Sequence, residues 1–222
     1  MKKLLFTMFV ALLMFGCGDP YDDAETLARI RRAKESGKLY LRSNDITDLM
    51  PLAGLTKLTY LNLGDNQIAD LAPLAGQTNL AELFLGENRI TDLTSLAGLI
   101  RLEALSLGDN QITDITPMAG LSKLWYLSLG DNQITDLASL TGLTSLTNLQ
   151  LNHNRITDLT PLANLTKLRE LFLSDNQITD VSPLTGLTKL TYLGLIRNPI
   201  PDDQIEMLEK ALPDCEITFF RD

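Results

Sequence analysis

Residues 58–80 read LTYLNLGDNQIADLAPLAGQTNL, and the pattern of this stretch decides the fold. It is one copy of a unit that recurs along the chain in steps of 22 residues. The repeated asparagine occurs at Asn44, Asn66, Asn88, Asn110, Asn132, Asn154, Asn176 and Asn198. A fixed period of this kind predicts a solenoid, because one short unit cannot bury its apolar face alone and must stack on its neighbours.

Each unit is predicted to contain a strand, a turn and a short helical segment. The alternation of apolar and polar residues in Leu61-Asn62-Leu63 indicates a short strand with one buried and one solvent-facing side. The chain then turns at Gly64-Asp65-Asn66, where a buried amide with both donor and acceptor groups is expected to satisfy backbone groups. An aspartate four residues after each asparagine, often followed by Leu-x-Pro-Leu, predicts a 3₁₀-like turn that this aspartate caps.

The pattern LxxLxxLxLxxNxIxDLxPLxGL, which extends from about Leu39 to Ile200, resembles the leucine-rich repeat of bacterial internalins. The resemblance implies an α/β solenoid with a parallel sheet on the concave side and 3₁₀-like turns on the convex side. It also implies that the concave side binds proteins or other macromolecules, but it implies no particular partner.

The first residues have the features of an export signal. Residues 1–16 (MKKLLFTMFVALLMFG) contain two lysines, an apolar run and a glycine, which is typical of a secretory leader. Cys17 follows directly and resembles the lipid-acceptor cysteine of bacterial lipoproteins, so residues 17–21 are expected to form a lipidated tether that holds the protein on a membrane without spanning it. In the Gram-negative lipoproteins that this segment resembles, aspartate after the cysteine favours the inner membrane, so the resemblance implies that Gly18 weakly favours the outer membrane. A plain secreted leader and an uncleaved anchor are the alternatives.

Helices are predicted to close both ends of the repeat array, which covers residues 38–200. Residues 22–37 contain acids first, basic residues later and a terminal glycine, as expected of a capping helix. Its apolar positions are Ala24, Leu27, Ile30 and Ala33. An anion-binding role for Arg29, Arg31 and Arg32 is the alternative to a solvated helix face.

The C-terminal cap is predicted over residues 201–222, with a helix from Asp202 to Ala211 followed by a last strand. A continued period places Cys215 22 residues after Leu193 and Ile217 the same distance after Leu195. Cys215 is therefore expected at a buried leucine position, without a disulfide to Cys17.

The solvent-facing side chains of each strand are predicted six, four, two and one positions before the asparagine. These positions vary between copies, whereas the leucine positions do not. Aromatic residues make up only 6% of the chain, yet several fall on or beside this face. The candidate partner-binding residues are Tyr40, Tyr60, Phe84, Trp125, Tyr126, Phe172 and Tyr192. Exposed aromatics are typical of protein interfaces and also stack on sugars, although strand propensity alone is a competing explanation.

A strip of glycines lies beside the aromatics, two positions before the asparagine, and would let a partner approach the backbone closely. It consists of Gly64, Gly86, Gly108 and Gly130.

One position before the asparagine, acidic residues form a column that His153 interrupts. Calcium binding by this acidic column is an alternative to ordinary turn chemistry. No catalytic residue is predicted, because the single histidine has no distinctive nucleophile beside it. No cofactor or metal site is predicted either, because the sequence has no glycine-rich phosphate loop and no metal-ligand cluster.

The formal net charge of −9 becomes −11 if Lys2 and Lys3 are removed with the leader. Such a charge argues against nucleic acid as a partner and favours a basic or neutral one. The sequence thus predicts a monomeric, envelope-anchored protein-interaction module, used in adhesion or as a scaffold, that contacts the membrane through its lipid anchor only. A carbohydrate-binding module for cell-wall or host glycans and a structural spacer without a ligand are the alternatives.

Overall fold

The computed structural model describes Tyr21 and residues 24–220, so the predicted leader and the lipidation site at Cys17 lie outside the described residues. Within them, nine parallel strands form one open sheet in chain order. The strands are β1 Lys38–Tyr40, β2 Tyr60–Asn62, β3 Glu82–Phe84, β4 Ala104–Ser106, β5 Tyr126–Ser128, β6 Asn148–Gln150, β7 Glu170–Phe172, β8 Tyr192–Gly194 and β9 Glu216–Thr218.

The period sets the register of the first eight strands. Leu39 pairs with Leu61, and Leu61 pairs with Leu83, so each residue lies beside its equivalent in the next copy. The leucines of each strand point away from solvent, and Leu61 and Leu63 are both fully buried. Stacked leucine and isoleucine columns thus form one continuous core, as a solenoid requires.

The repeated asparagines connect neighbouring copies. Asn132 donates from Nδ2 to the carbonyl oxygens of Leu107, Leu129 and Gly130, at 3.0, 3.1 and 3.1 Å. Its Oδ1 accepts from the backbone N–H of Ile112 at 2.9 Å. Four hydrogen bonds therefore satisfy one buried side chain and the backbone of two adjacent turns, as the sequence predicts.

The opposite side of the solenoid carries seven short 3₁₀ helices among the described residues. They are Met50–Leu52, Ala72–Leu74, Thr94–Leu96, Thr116–Met118, Ala138–Leu140, Thr160–Leu162 and Ser182–Leu184. The aspartate two residues before each one accepts a hydrogen bond from its first backbone N–H, for example Thr116 to Asp114 at 2.8 Å. These bonds confirm the predicted caps in all copies up to Asp180. Asp202 is different, because it is the first residue of a longer helix.

The N-terminal helix, α1, spans Ala24–Ser36 and is followed by Gly37, which has a φ of 69°. Such a conformation favours glycine at a helix end. The buried face agrees with the prediction at Ala33, which is fully buried, and at Ile30, which packs against the core. It differs at three positions: Thr26 is buried, Ala24 is exposed and Leu27 is half-buried.

Tyr21 packs against the fold, whereas the sequence predicts that it is the last residue of a tether. Its side chain is buried, and its hydroxyl donates to the carbonyl oxygen of Asp48 at 2.8 Å. The ordered N-terminal cap therefore includes at least one residue before the helix.

The C-terminal helix, α2, spans Asp202–Ala211 as predicted, but the strand after it does not keep the period. Leu193 pairs with Ile217 and Tyr192 with Glu216, a separation of 24 residues instead of 22. The prediction that Cys215 occupies the position of Leu193 is therefore wrong. Its thiol is free and half-buried, and burial followed by the charge of Glu216 raises its pKa. The ten-residue helix replaces a 3₁₀ turn and lengthens the connection to β9.

Candidate binding surface

All seven candidate aromatics lie on or beside the solvent side of the sheet, opposite the leucine core. Tyr40 and Trp125 are the most exposed, at 52% and 47%, and the other five are half-buried. None of them is packed among the leucines, so the predicted orientation is confirmed. We call this surface the sheet face and define it by the residues six, four, two and one positions before each repeated asparagine.

The aromatics form three separate clusters. The first contains Tyr40, Tyr60 and Phe84, whose ring centroids are 4.7 and 5.5 Å apart in that order. Burial, with smaller contributions from neighbouring Tyr40 and Glu82, raises the pKa of Tyr60 despite an opposing hydrogen bond with Asn62. Ring-centroid distances of 4.7 and 5.5 Å are typical of aromatic pairs that stabilise each other beyond simple burial.

The second cluster pairs Trp125 with Tyr126 at 5.9 Å, and the third pairs Phe172 with Tyr192 at 4.9 Å. The Tyr192 ring lies over Gly194, where an added Cβ would be 3.4 Å from the ring. The Tyr192 hydroxyl also hydrogen-bonds Thr218 Oγ1 at 3.2 Å. The strand β9 thus contacts this cluster. The shifted register of β9 makes this contact possible.

Small residues occupy the sheet face between the clusters. Ala104 and Ser128 belong to outward positions, yet neighbouring side chains bury both of them. Next to them, an added Cβ at Gly86 or Gly108 would lie 3.3–3.4 Å from the carbonyl oxygen of the following glycine. The main chains of adjacent repeats are therefore close together along this strip, where Gly86 and Gly108 are half-buried and Gly64 and Gly130 are buried.

Polar side chains join neighbouring strands between the second and third clusters. Ser128 donates to Gln150 Oε1 at 2.9 Å, and Asn148 donates from Nδ2 to Glu170 Oε2 at 2.6 Å. These two pairs were not predicted from the sequence. They could have been, because the two residues of each pair are 22 positions apart and lie in one column of the sheet face.

The residue before each repeated asparagine has a left-handed backbone conformation. The φ values of Asp65, Asp109 and Asp131 are 55, 54 and 55°, and those of Glu87 and His153 are 59 and 52°. Aspartate tolerates this region better than most residues, which explains its frequency here. The acidic column is therefore part of the turn geometry, and its carboxylates lie along one edge of the sheet face.

Within the described part of the chain, basic side chains pair with the acidic column at Glu87 and Asp175 only. Arg42 contacts Glu87 at 2.7 Å, while Arg197 and His153 approach Asp175 at 3.2 and 3.4 Å. In the middle, burial and the nearby charges of Asp131 and Glu87 raise the pKa of Asp109. Burial is the largest cause of this raised pKa, the two neighbouring carboxylates add to it, and His153 opposes it.

No group of three or more His, Cys, Asp or Glu side chains in the described part of the chain is placed to hold a metal ion. No helix among the same residues is long and apolar enough to cross a bilayer. The sheet face itself consists of aromatic clusters, small residues and an acidic edge.

Known proteins share both the repeats and the fold. The family model of leucine-rich repeats (two copies) matches residues 38–76, 78–120, 122–164 and 166–210. Internalin C2 of Listeria monocytogenes is 40% identical with a TM-score of 0.79, covering 83% of this chain and 80% of that one. A leucine-rich-repeat protein of Leptospira interrogans is 34% identical with a TM-score of 0.80, over 86% of this chain and half of that one. A search of curated proteins gives no significant match.

Proteins of the internalin type are generally protein-interaction modules, and they are typically binding scaffolds without enzymatic activity. The matched repeats cover most of the described chain, and the identity to internalin C2 extends over most of both proteins. The chain therefore belongs to the leucine-rich-repeat family, as a bacterial internalin-like member.

Proposed function

We propose that this protein is a monomeric, envelope-anchored module that binds a protein partner through its sheet face. The observation that carries the proposal is the outward position of the three aromatic clusters on an otherwise aromatic-poor chain. Large aromatic side chains supply much of the binding energy in protein interfaces because they bury a large area with few rotatable bonds.

The rigidity of the surface supports the same function. Repeated asparagine bonds and aspartate caps hold successive copies in one arrangement, as for Asn132 and Asp114. A preformed surface loses little conformational entropy on binding, so more of the contact energy contributes to affinity.

Photo-crosslinking on intact cells tests this proposal. A photoreactive amino acid replaces Tyr126 on the sheet face in one variant and Ile100, an exposed residue outside that face, in a control variant. We expect a specific protein adduct from position 126 only, and we expect Trp125→Ala to reduce its yield. Equal adducts from both positions, or none from several sheet-face positions, would contradict the proposal and favour a spacer role.

Carbohydrate binding is the second candidate, because polar side chains and aromatics alternate in the C-terminal half of the face. The bonded pair Asn148–Glu170 lies between Tyr126 and Tyr192 in the same column of the sheet. Sugars are bound by this combination of stacking and directed hydrogen bonds. Binding to a glycan array that is lost in the Trp125→Ala/Tyr126→Ala variant would support this function over protein binding.

The proposed anchor is a lipid on Cys17, with the outer membrane favoured over the inner one. Its support is the leader-like segment 1–16 directly before the cysteine. Replacement of Cys17 by serine is expected to move the protein from the membrane fraction to the soluble fraction. Retention of the Cys17→Ser variant in washed membranes would show that a different feature anchors the chain.

A further inference from the structure

The sheet face has an uneven distribution of charge. From β2 to β7 its positions hold seven carboxylates and neither lysine nor arginine. The acidic residues are Asp65, Glu82, Glu87, Asp109, Asp131, Glu170 and Asp175. Basic side chains of this face occur only at its two ends, at Lys38 and Arg42 on one side and Arg197 on the other. Such a surface is electrostatically complementary to a basic partner.

Arg42 shows how a basic side chain fits on this surface. It begins beside β1 and reaches Glu87, which lies two repeats away, with a guanidinium-to-carboxylate distance of 2.7 Å. On the way it passes Gly64, where an added Cβ would be 3.9 Å from Arg42 Cγ. The absence of a side chain at Gly64 leaves the space that the arginine stem occupies.

The same combination of glycine and carboxylate continues along the next repeats without an arginine. Gly86 and Gly108 follow Gly64 in the strip, and Asp109 and Asp131 follow Glu87 in the acidic column. The carboxylates of Asp109 and Asp131 have no ion-pair or hydrogen-bond partner among the described residues. The raised pKa of Asp109 is consistent with a carboxylate that a nearby cation would relieve.

We infer that the sheet face between β3 and β6 binds arginine side chains of a basic, extended segment of its protein partner. The arginine stems lie on the glycine strip, and their guanidinium groups pair with Asp109 and Asp131. Arg42 occupies the first equivalent position from within the chain and competes there with the partner. This inference rests on the proposed protein-binding function and specifies the chemistry of the partner.

A short synthetic peptide in which arginine alternates with serine is the probe, measured by calorimetry with the purified full chain in detergent. About 150 mM salt screens diffuse attraction between separated charges. We expect Asp109→Asn/Asp131→Asn to weaken binding about five-fold, in line with two exposed ion pairs. The control Glu206→Gln/Glu209→Gln removes two carboxylates on the exposed side of α2, and its affinity should stay near that of the unmodified protein.

Two further variants test the geometry separately from the charge. Gly108→Asn fills the strip without changing any charge, and Asn152 at the equivalent position shows that the repeat accepts this residue. We expect it to weaken peptide binding. Arg42→Ala frees Glu87 and is expected to strengthen binding about two-fold or more, whereas Arg101→Ala outside the sheet face should have a smaller effect.

Equal losses from the Asp109/Asp131 and Glu206/Glu209 pairs would overturn the inference, because they would indicate diffuse attraction to an acidic protein. Equal effects of Arg42→Ala and Arg101→Ala, or no binding of the peptide at all, would also overturn it. The crosslinking experiment at Tyr126 does not depend on a basic partner. A specific adduct there, without peptide binding, would leave the proposed function intact and reject only the arginine-binding surface.

Discussion

At the scale of single residues, the buried side-chain amides of the repeats determine how many backbone groups of the turns have a hydrogen-bond partner. Asn132 makes four hydrogen bonds to backbone groups of its own and the preceding repeat. Gln77 is the opposite case: it is fully buried at a position where other copies have leucine, and its Oε1 has no partner. One amide therefore stabilises the stack, while the other carries an unpaired acceptor.

Asn132→Ala is expected to lower the free energy of unfolding by about 3 kcal/mol, because backbone groups in the core lose their partner. Chemical denaturation followed by circular dichroism measures the change. The control is Asn164→Ala, since Asn164 is exposed at a position that holds glycine in other copies. Similar losses in both variants would contradict a structural role specific to the repeated asparagine.

Gln77→Leu is expected to raise the free energy of unfolding by about 1–2 kcal/mol. The substitution removes the unpaired acceptor, and the carbonyl of Leu52 keeps its bond from Leu55 N at 2.9 Å. The reverse change at the equivalent fully buried residue, Leu121→Gln, should destabilise the protein. A destabilised Gln77→Leu variant would show that the glutamine bond to Leu52 outweighs the unpaired oxygen.

At the scale of elements, the two terminal helices cover the ends of the repeat array in different ways. The helix α1 covers the first strand with a face of small and apolar residues, in which Ala33 is fully buried and Thr26 nearly so. The helix α2 replaces the eighth 3₁₀ turn, and its Ile205 and Leu208 extend the core. Because each helix contacts the repeats on one side only, its stability depends on that single packed face.

Ala33→Glu is expected to destabilise the N-terminal cap by about 3 kcal/mol or more, because a carboxylate would be buried without a partner. Ala24→Glu places the same charge on the same helix at an exposed site and should change stability little. Hydrogen exchange should show faster exchange in α1 and β1 for the first variant only. Unchanged protection in the Ala33→Glu variant would mean that the helix does not contribute to capping.

At the scale of the whole molecule, two groups of carboxylates affect stability in opposite directions. The hydroxyl and backbone N–H of Thr94 lower the pKa of Asp92, and the equivalent bonds lower those of Asp114, Asp158 and Asp180. The stability from these caps is present above the ordinary pKa and is lost as pH falls through the lowered values. Asp109 has a raised pKa, so its ionisation destabilises the fold as pH rises above its ordinary value of 3.8.

Asp109→Asn is therefore expected to raise the unfolding temperature at pH 7 and to have little effect at a pH below 3.8. Asparagine also tolerates the left-handed conformation at this position, where φ is 54°. Scanning calorimetry at both pH values, with equal ionic strength, tests the difference. A gain of the same size at low pH would assign the effect to backbone preference instead of charge repulsion.

The sequence by itself determined the solenoid, the register from β1 to β8 and the outward direction of the aromatics. A strict period fixes these features because each copy makes the same contacts with the next. The asparagine bonds and aspartate caps follow from the same repetition, since Asn132 and Asp114 make the same bonds as their equivalents in neighbouring copies.

Only the tertiary structure decided the geometry where the repetition stops and where unlike side chains of different copies contact each other. The shift of β9 by two residues, the burial of Thr26 and Tyr21, and the reach of Arg42 to Glu87 all belong to this group. After β8 no further copy imposes the register, so the length of α2 sets the register of β9. Contacts between unlike side chains depend on their rotamers and neighbours, which the period leaves free.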